Sequence, residues 1–169
     1  SARTLFLNGA IQVSSGIMNI GNQTDNATDN SIRYDGTVAT IIVDGGIVNV
    51  GGAIRPNVDD GTAALDFTLS SGTVSLARNT STNNISSTNA LRRSEADFSM
   101  DNAVCSYTMS GGVFEIVRAQ SADGKAIQIS YLVTDYTVSG GTVSIMRDAH
   151  DGFSANSIVG SNDVGINSS

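Results

Sequence analysis

The chain has 169 residues with a formal net charge of −7 and an isoelectric point near 4.3, which suits one domain and argues against a nucleic-acid partner. No run of eighteen apolar residues occurs, so no helical membrane span is expected. Charged residues make up only 15%, and Ser, Thr, Asn and Gly carry the polar surface, a composition expected of a secreted or surface-exposed protein. No signal peptide is visible, and the chain opens on Ser1 rather than a methionine, as a processed or excised chain would.

In chain order, Leu5-Phe6-Leu7 leads into the first of five near-identical segments. These run Ile11–Ile20, Ile41–Val50, Phe67–Leu76, Tyr107–Ile116 and Tyr136–Ile145, and their anchors step by 30, 26, 40 and 29 residues. Self-similarity at this period marks a solenoid. In the last copy Tyr136, Val138, Val143 and Ile145 alternate with Thr137, Ser139, Thr142 and Ser144 about Gly140-Gly141, which reads as strand, corner, strand. Glycine suits the corner because it reaches positive φ without steric cost.

A third strand is expected upstream of each anchor. Nine positions before lie Ile32, Val58, Phe98 and Ile127, and three before lie Val38, Ala64, Val104 and Val133. Stacking the copies gives inward ranks: Val13-Val43-Leu69-Met109-Val138, Met18-Val48-Val74-Phe114-Val143 and Ile20-Val50-Leu76-Ile116-Ile145. No single coil buries its own set, so neighbours hold one another together, at about 1.5–3 kcal/mol per buried side chain. The expectation is therefore an all-β, right-handed parallel β-helix of about five to six coils with three short strands per coil, a rod roughly 25–30 Å long. A β-sandwich or barrel with similar turns is the competing architecture, disfavoured because the upstream register also repeats.

The whole chain, 1–169, reads as one solenoid domain. Ile158 and Val164 fit the nine-before and three-before slots of a sixth anchor at Asn167, giving a truncated sixth coil from Ile158. Neither end shows an evident cap, so the expectation is a segment of a longer polypeptide.

The longest insertion, Asn79 to Asp97, opens on a polar run and ends on Leu91-Arg92-Arg93-Ser94-Glu95, which suits a helical turn; Gly21 to Ser31 and the stretch around His150-Asp151-Gly152 are further polar loops. Insertions on solenoids often build the binding face. Arg78, Arg118 and Arg147 end three successive copies at one position, a candidate anion- or glycan-contacting edge. Their competing reading is solvated corner residues paired with nearby acids. Asn19, Asn49, Ser75, Glu115 and Ser144 form an outward rank of structural hydrogen-bonding residues.

Outward Thr68, Thr108 and Thr137, with Thr73 and Thr142 across the corner, form a threonine array like those of ice-binding solenoids. Gln12 and Ile42 break one file, and Ile17, Ile47 and Val113 the other. Ile42 and Ile47, apolar yet outward, are candidate contact residues.

Of the fourteen aspartates, Asp59-Asp60-Gly61, Asp123-Gly124 and the Asp148/Asp151 pair lie in turns, where calcium finds oxygen ligands. Neither the nonapeptide calcium repeat nor the EF-hand spacing is present, so no cofactor is expected and Asp-Gly turn chemistry accounts for them. Cys105, the lone cysteine, rules out an internal disulfide and reads as a buried thiol. Asn22, Asn26, Asn79, Asn84 and Asn167 each begin an Asn-x-Ser/Thr triplet, frequent by chance in this composition.

The strand–Ser-Gly-Gly–strand units resemble the right-handed parallel β-helix repeats of large secreted bacterial surface proteins, adhesins and pectate-lyase-like proteins among them. The resemblance implies an extracellular or cell-surface setting and contact with glycans or other surface proteins. Fold alone assigns no activity. The leading expectation is a non-catalytic structural or adhesive segment flanked by coils or domains of the same polypeptide, with no nucleic-acid partner. A carbohydrate-binding or polysaccharide-cleaving β-helix is the alternative. Asp66 and Asp135 share a slot, interrupted by Ser106, while Lys125 sits in an Asp-Gly-Lys turn unlike a catalytic base. A self-assembling filament subunit is the third reading.

Overall fold

The computed structural model describes residues 4–21, 30–58, 62–76, 98–119, 127–129, 133–147 and 164–166. These residues form strands β1 (Leu5–Leu7), β2 (Ala10–Val13), β3 (Ile17–Ile20), β4 (Ile32–Tyr34), β5 (Ala39–Val50), β6 (Ile54–Pro56) and β7 (Leu65–Leu76). They continue as β8 (Phe98–Met100), β9 (Ser106–Met109), β10 (Val113–Ala119), β11 (Ile127–Ile129), β12 (Asp135–Val138), β13 (Thr142–Arg147) and β14 (Val164–Ile166). Every strand pairing is parallel, and no helix occurs among the described residues.

The strands stack into three faces of a β-solenoid. Face one stacks β2, the first limb of β5, the first limb of β7, β9 and β12. Face two stacks β3, the second limbs of β5 and β7, β10 and β13. Face three runs β1-β4-β6-β8-β11-β14. About three turns are traced without interruption, those carrying β1–β3, β4–β5 and β8–β10, fewer than the five to six coils expected. The strands of the other copies pair into the same faces.

The inward ranks stack as the repeat predicts, with partners such as Val43–Leu69–Met109 and Val74–Phe114–Val143 in register. Ile41, Val43, Val48, Phe67, Leu69, Val74, Met109 and Phe114 are all buried. Aromatic rings concentrate at the lower coils. Phe67 stacks on Tyr107 at 5.3 Å between centroids and Tyr107 on Tyr136 at 5.4 Å, while Phe98 and Phe114 meet Phe67 edge-on. Offset stacks and edge contacts at these separations add to the gain from burial.

Glycine fixes the corner between faces one and two. Gly16, Gly46, Gly72, Gly112 and Gly141 all hold positive φ, between 68° and 97°. A Cβ on Gly72 would lie 2.5 Å from the Gly46 carbonyl oxygen, and one on Gly112 2.8 Å from that of Gly72. A side chain at Gly46, Gly72, Gly112 or Gly141 would push adjacent coils apart, whereas Gly16 faces open space.

The upstream register differs from the expectation in two places. Ile54, not Val58, pairs with Ile32 and with Phe98, and Val58 is 45% exposed. The connector after β6 is longer than in the other coils, so counting nine back from Phe67 stops short of the strand. The three-before slot is not a uniform inward rank: Ala64 and Val133 are buried, but Val38 and Val104 (63%) are exposed. All four lie in the connectors just ahead of β5, β7, β9 and β12, where strand alternation does not set a side chain's direction, whereas Ala39, Ile41 and Val43 carry the inward parity of β5. The inward role falls to Ala39, Leu65 and Cys105.

At the last described coil Val138 and Val143 keep their register yet are 48% and 46% exposed, because no described strand lies beyond β12 and β13. Val164, not Ile158, takes the position opposite Ile127; Ile158 lies outside the described residues.

Candidate functional site

The backbone gives three outward surfaces of different character. On face one two outward ranks run side by side along the stack: Ala10-Thr40-Asp66-Ser106-Asp135 and Gln12-Ile42-Thr68-Thr108-Thr137. Ser106 donates its hydroxyl to Asp66 Oδ1 at 2.6 Å, a charge-assisted bond between adjacent coils. Gln12, a break in the threonine file, donates Nε2 to Asp44 Oδ2 at 3.0 Å. Hydrogen bonds from Ser14 and then Gln12 hold the exposed Asp44 carboxyl below its ordinary range.

On face two the outward ranks are Ile17-Ile47-Thr73-Val113-Thr142 and Asn19-Asn49-Ser75-Glu115-Ser144. The second behaves as the structural ladder expected of it. Asn49 Nδ2 donates to Asn19 Oδ1 at 2.9 Å, and the Ser75 hydroxyl to Glu115 Oε1 at 2.5 Å. Ser75 is nevertheless fully buried although its side chain points outward.

Face three carries one outward rank, Phe6-Arg33-Arg55-Ser99-Gln128. Arg33 Nη1 donates to the Pro56 carbonyl at 3.4 Å, and Arg55 is buried. At the corner between faces three and one, Asn57 Nδ2 donates to Asp35 Oδ2 at 3.0 Å, and the Gly36 N–H bonds the other oxygen.

The proposed contact residues fall unevenly on this frame. Ile42 is half-buried in the face-one rank, and Ile47 (36% exposed) lies beside Ile17 (66%) on face two. Arg78 lies outside the described residues. Arg118 and Arg147 fall in β10 and β13, but the pairing shifts after Ile116, so Arg147 stands opposite Ala119. The turn aspartates Asp59, Asp60, Asp123, Asp148 and Asp151, Lys125, His150 and all five Asn-x-Ser/Thr triplets also lie outside the described residues. Among the described residues no three His, Cys, Asp or Glu side chains converge as a metal site, and no helix is long and apolar enough to cross a membrane.

Cys105 is buried, and its Sγ accepts the Leu65 N–H at 3.3 Å across the coils. Burial pushes its thiol pKa up, which disfavours the nucleophilic thiolate.

Two arrangements were not legible in the sequence. The Asp35–Asn57 contact depends on the corner after face three, whose connectors differ in length from coil to coil. The Gln12–Asp44 bond joins a strand position to a corner position one coil away. Comparison with protein-family models, with curated proteins and with solved structures finds no match.

Proposed function

We propose that this chain is a non-catalytic structural segment of an extracellular or cell-surface protein, a stiff solenoid that carries recognition elements along its length. The supporting observation is where the chain admits length. The connections 21–31, 77–97, 120–126 and 148–163 all join face two to face three, whereas the face-one-to-face-two corner holds to the tight glycine turn in every copy. The longest insertions gather at one edge, with smaller variation after face three, and leave the stacked strands undisturbed, as a scaffold with variable attachments requires. In this reading its partners are flanking coils or domains of the same polypeptide, and glycans or other surface proteins.

Antibody raised against the folded chain tests the setting. Labelling of intact source cells, lost after brief external protease treatment, is the expected result; signal found only after lysis would reject a surface role. Incubation of the purified chain with polysaccharides tests the non-catalytic part. Release of new reducing or unsaturated ends would replace this reading with the enzymatic one.

A further inference from the structure

The two outward ranks of face one bound a straight channel parallel to the solenoid axis, and its floor is the backbone of the intervening inward-facing residues. Ranks two residues apart on a strand are separated by about 6.7 Å, and successive rungs by about 4.8 Å, so five rungs give a channel about 19 Å long. A single aromatic plane standing on edge would meet both walls near van der Waals separation. The walls differ over the lower three rungs: Asp66, Ser106 and Asp135 line one side, and the β-branched Thr68, Thr108 and Thr137 the other. Threonine at χ1-restricted strand positions gives a stiff wall of methyl and hydroxyl groups.

We infer that this channel binds planar aromatic cations along the axis. Charge selects the cation: among the described residues the outward positions of face one include carboxylates and no Lys or Arg. Geometry selects the face. The matching channel on face two is interrupted at its middle rung, where Ser75 is fully buried. Face three has one outward rank, hence no second wall, and it carries Arg33 and Arg55.

The test uses the full chain, shown to be monodisperse by sedimentation, titrated with thioflavin T as the planar cation. Saturable fluorescence enhancement is expected, weakened by added salt because the pairing is exposed. Asp66→Asn/Asp135→Asn should weaken binding about tenfold or more, and Asn49→Ala on face two should leave it unchanged. Thr108→Lys, which sets a cation into the opposite wall without touching the Ser106–Asp66 bond, should also abolish binding and guards against misfolding of the double variant. Native far-UV circular dichroism with undiminished binding in both channel variants would overturn the inference. So would enhancement confined to an aggregated fraction, or no enhancement at all.

Discussion

Ser106 donates a hydroxyl hydrogen bond to Asp66 Oδ1 at 2.6 Å, forty residues away in sequence and one rung away in the stack. This contact is the coil-to-coil unit in miniature: parallel pairing puts the same repeat position of two copies side by side, and their side chains bond along the axis. Ser106→Ala removes the donor from a half-exposed carboxylate, so a loss of about 1 kcal/mol is expected in urea unfolding. Asp66→Asn should cost a similar amount, and the double variant should cost less than the sum of the two.

The corner glycines from Gly46 onward should tolerate no side chain. Gly72→Ala forces a positive φ of 82° on alanine and drives its Cβ into the Gly46 carbonyl, so a loss of about 2–4 kcal/mol is expected. Gly9→Ala meets nothing within 4 Å and should stay within about 0.5 kcal/mol of the parent. Equal losses at the two positions in denaturant titrations would contradict the stacked corner.

Aromatic packing should dominate the core of the lower coils. Phe67 touches Phe98, Tyr107 and Phe114, and Phe67→Ala should cost about 3–5 kcal/mol. Phe6→Ala, at a side chain 62% exposed, should cost far less, and the two unfolding midpoints give the comparison directly.

Alkaline pH should weaken the fold in part through Cys105. Burial raises the thiol pKa in the folded chain above the ordinary value of 9.0, so the unfolded chain releases the proton first. The corresponding stability is complete below the unfolded pKa and is lost as pH climbs through that value toward the folded one. Tyr107, also raised by burial, acts in the same direction at higher pH. Unfolding midpoints measured between pH 7 and pH 10 should fall less steeply for Cys105→Ala than for the parent.

Most of the architecture was legible because the repeat encodes it locally. Alternation about Ser-Gly-Gly fixed which residues of each copy point inward, and Val43, Leu69 and Met109 stack as that alternation requires. The third strand was less legible, since its distance from the anchor depends on a connector of variable length; Ile54 displaced Val58 for that reason. Val38 and Val104 misled because an apolar residue next to a corner looks like a core residue in a list of spacings. Both lie in the connectors just ahead of β5 and β9, where the strand alternation does not hold. The surface was hardest to read, because Gln12 and Asp44 each look unremarkable until parallel stacking brings them together.

The central claim is that equivalent positions of successive copies lie side by side in parallel register, and paired cysteines measure it most directly. In a Cys105→Ala background, Thr108→Cys/Thr137→Cys places two thiols on adjacent rungs, about 4.8 Å apart at the backbone and within disulfide reach. Thr68→Cys/Thr137→Cys places them two rungs apart, beyond it. Rapid oxidation of the folded 108/137 pair with free thiols retained in the 68/137 pair is the predicted result. Equal oxidation of both pairs, or free thiols in both, would contradict the solenoid stack.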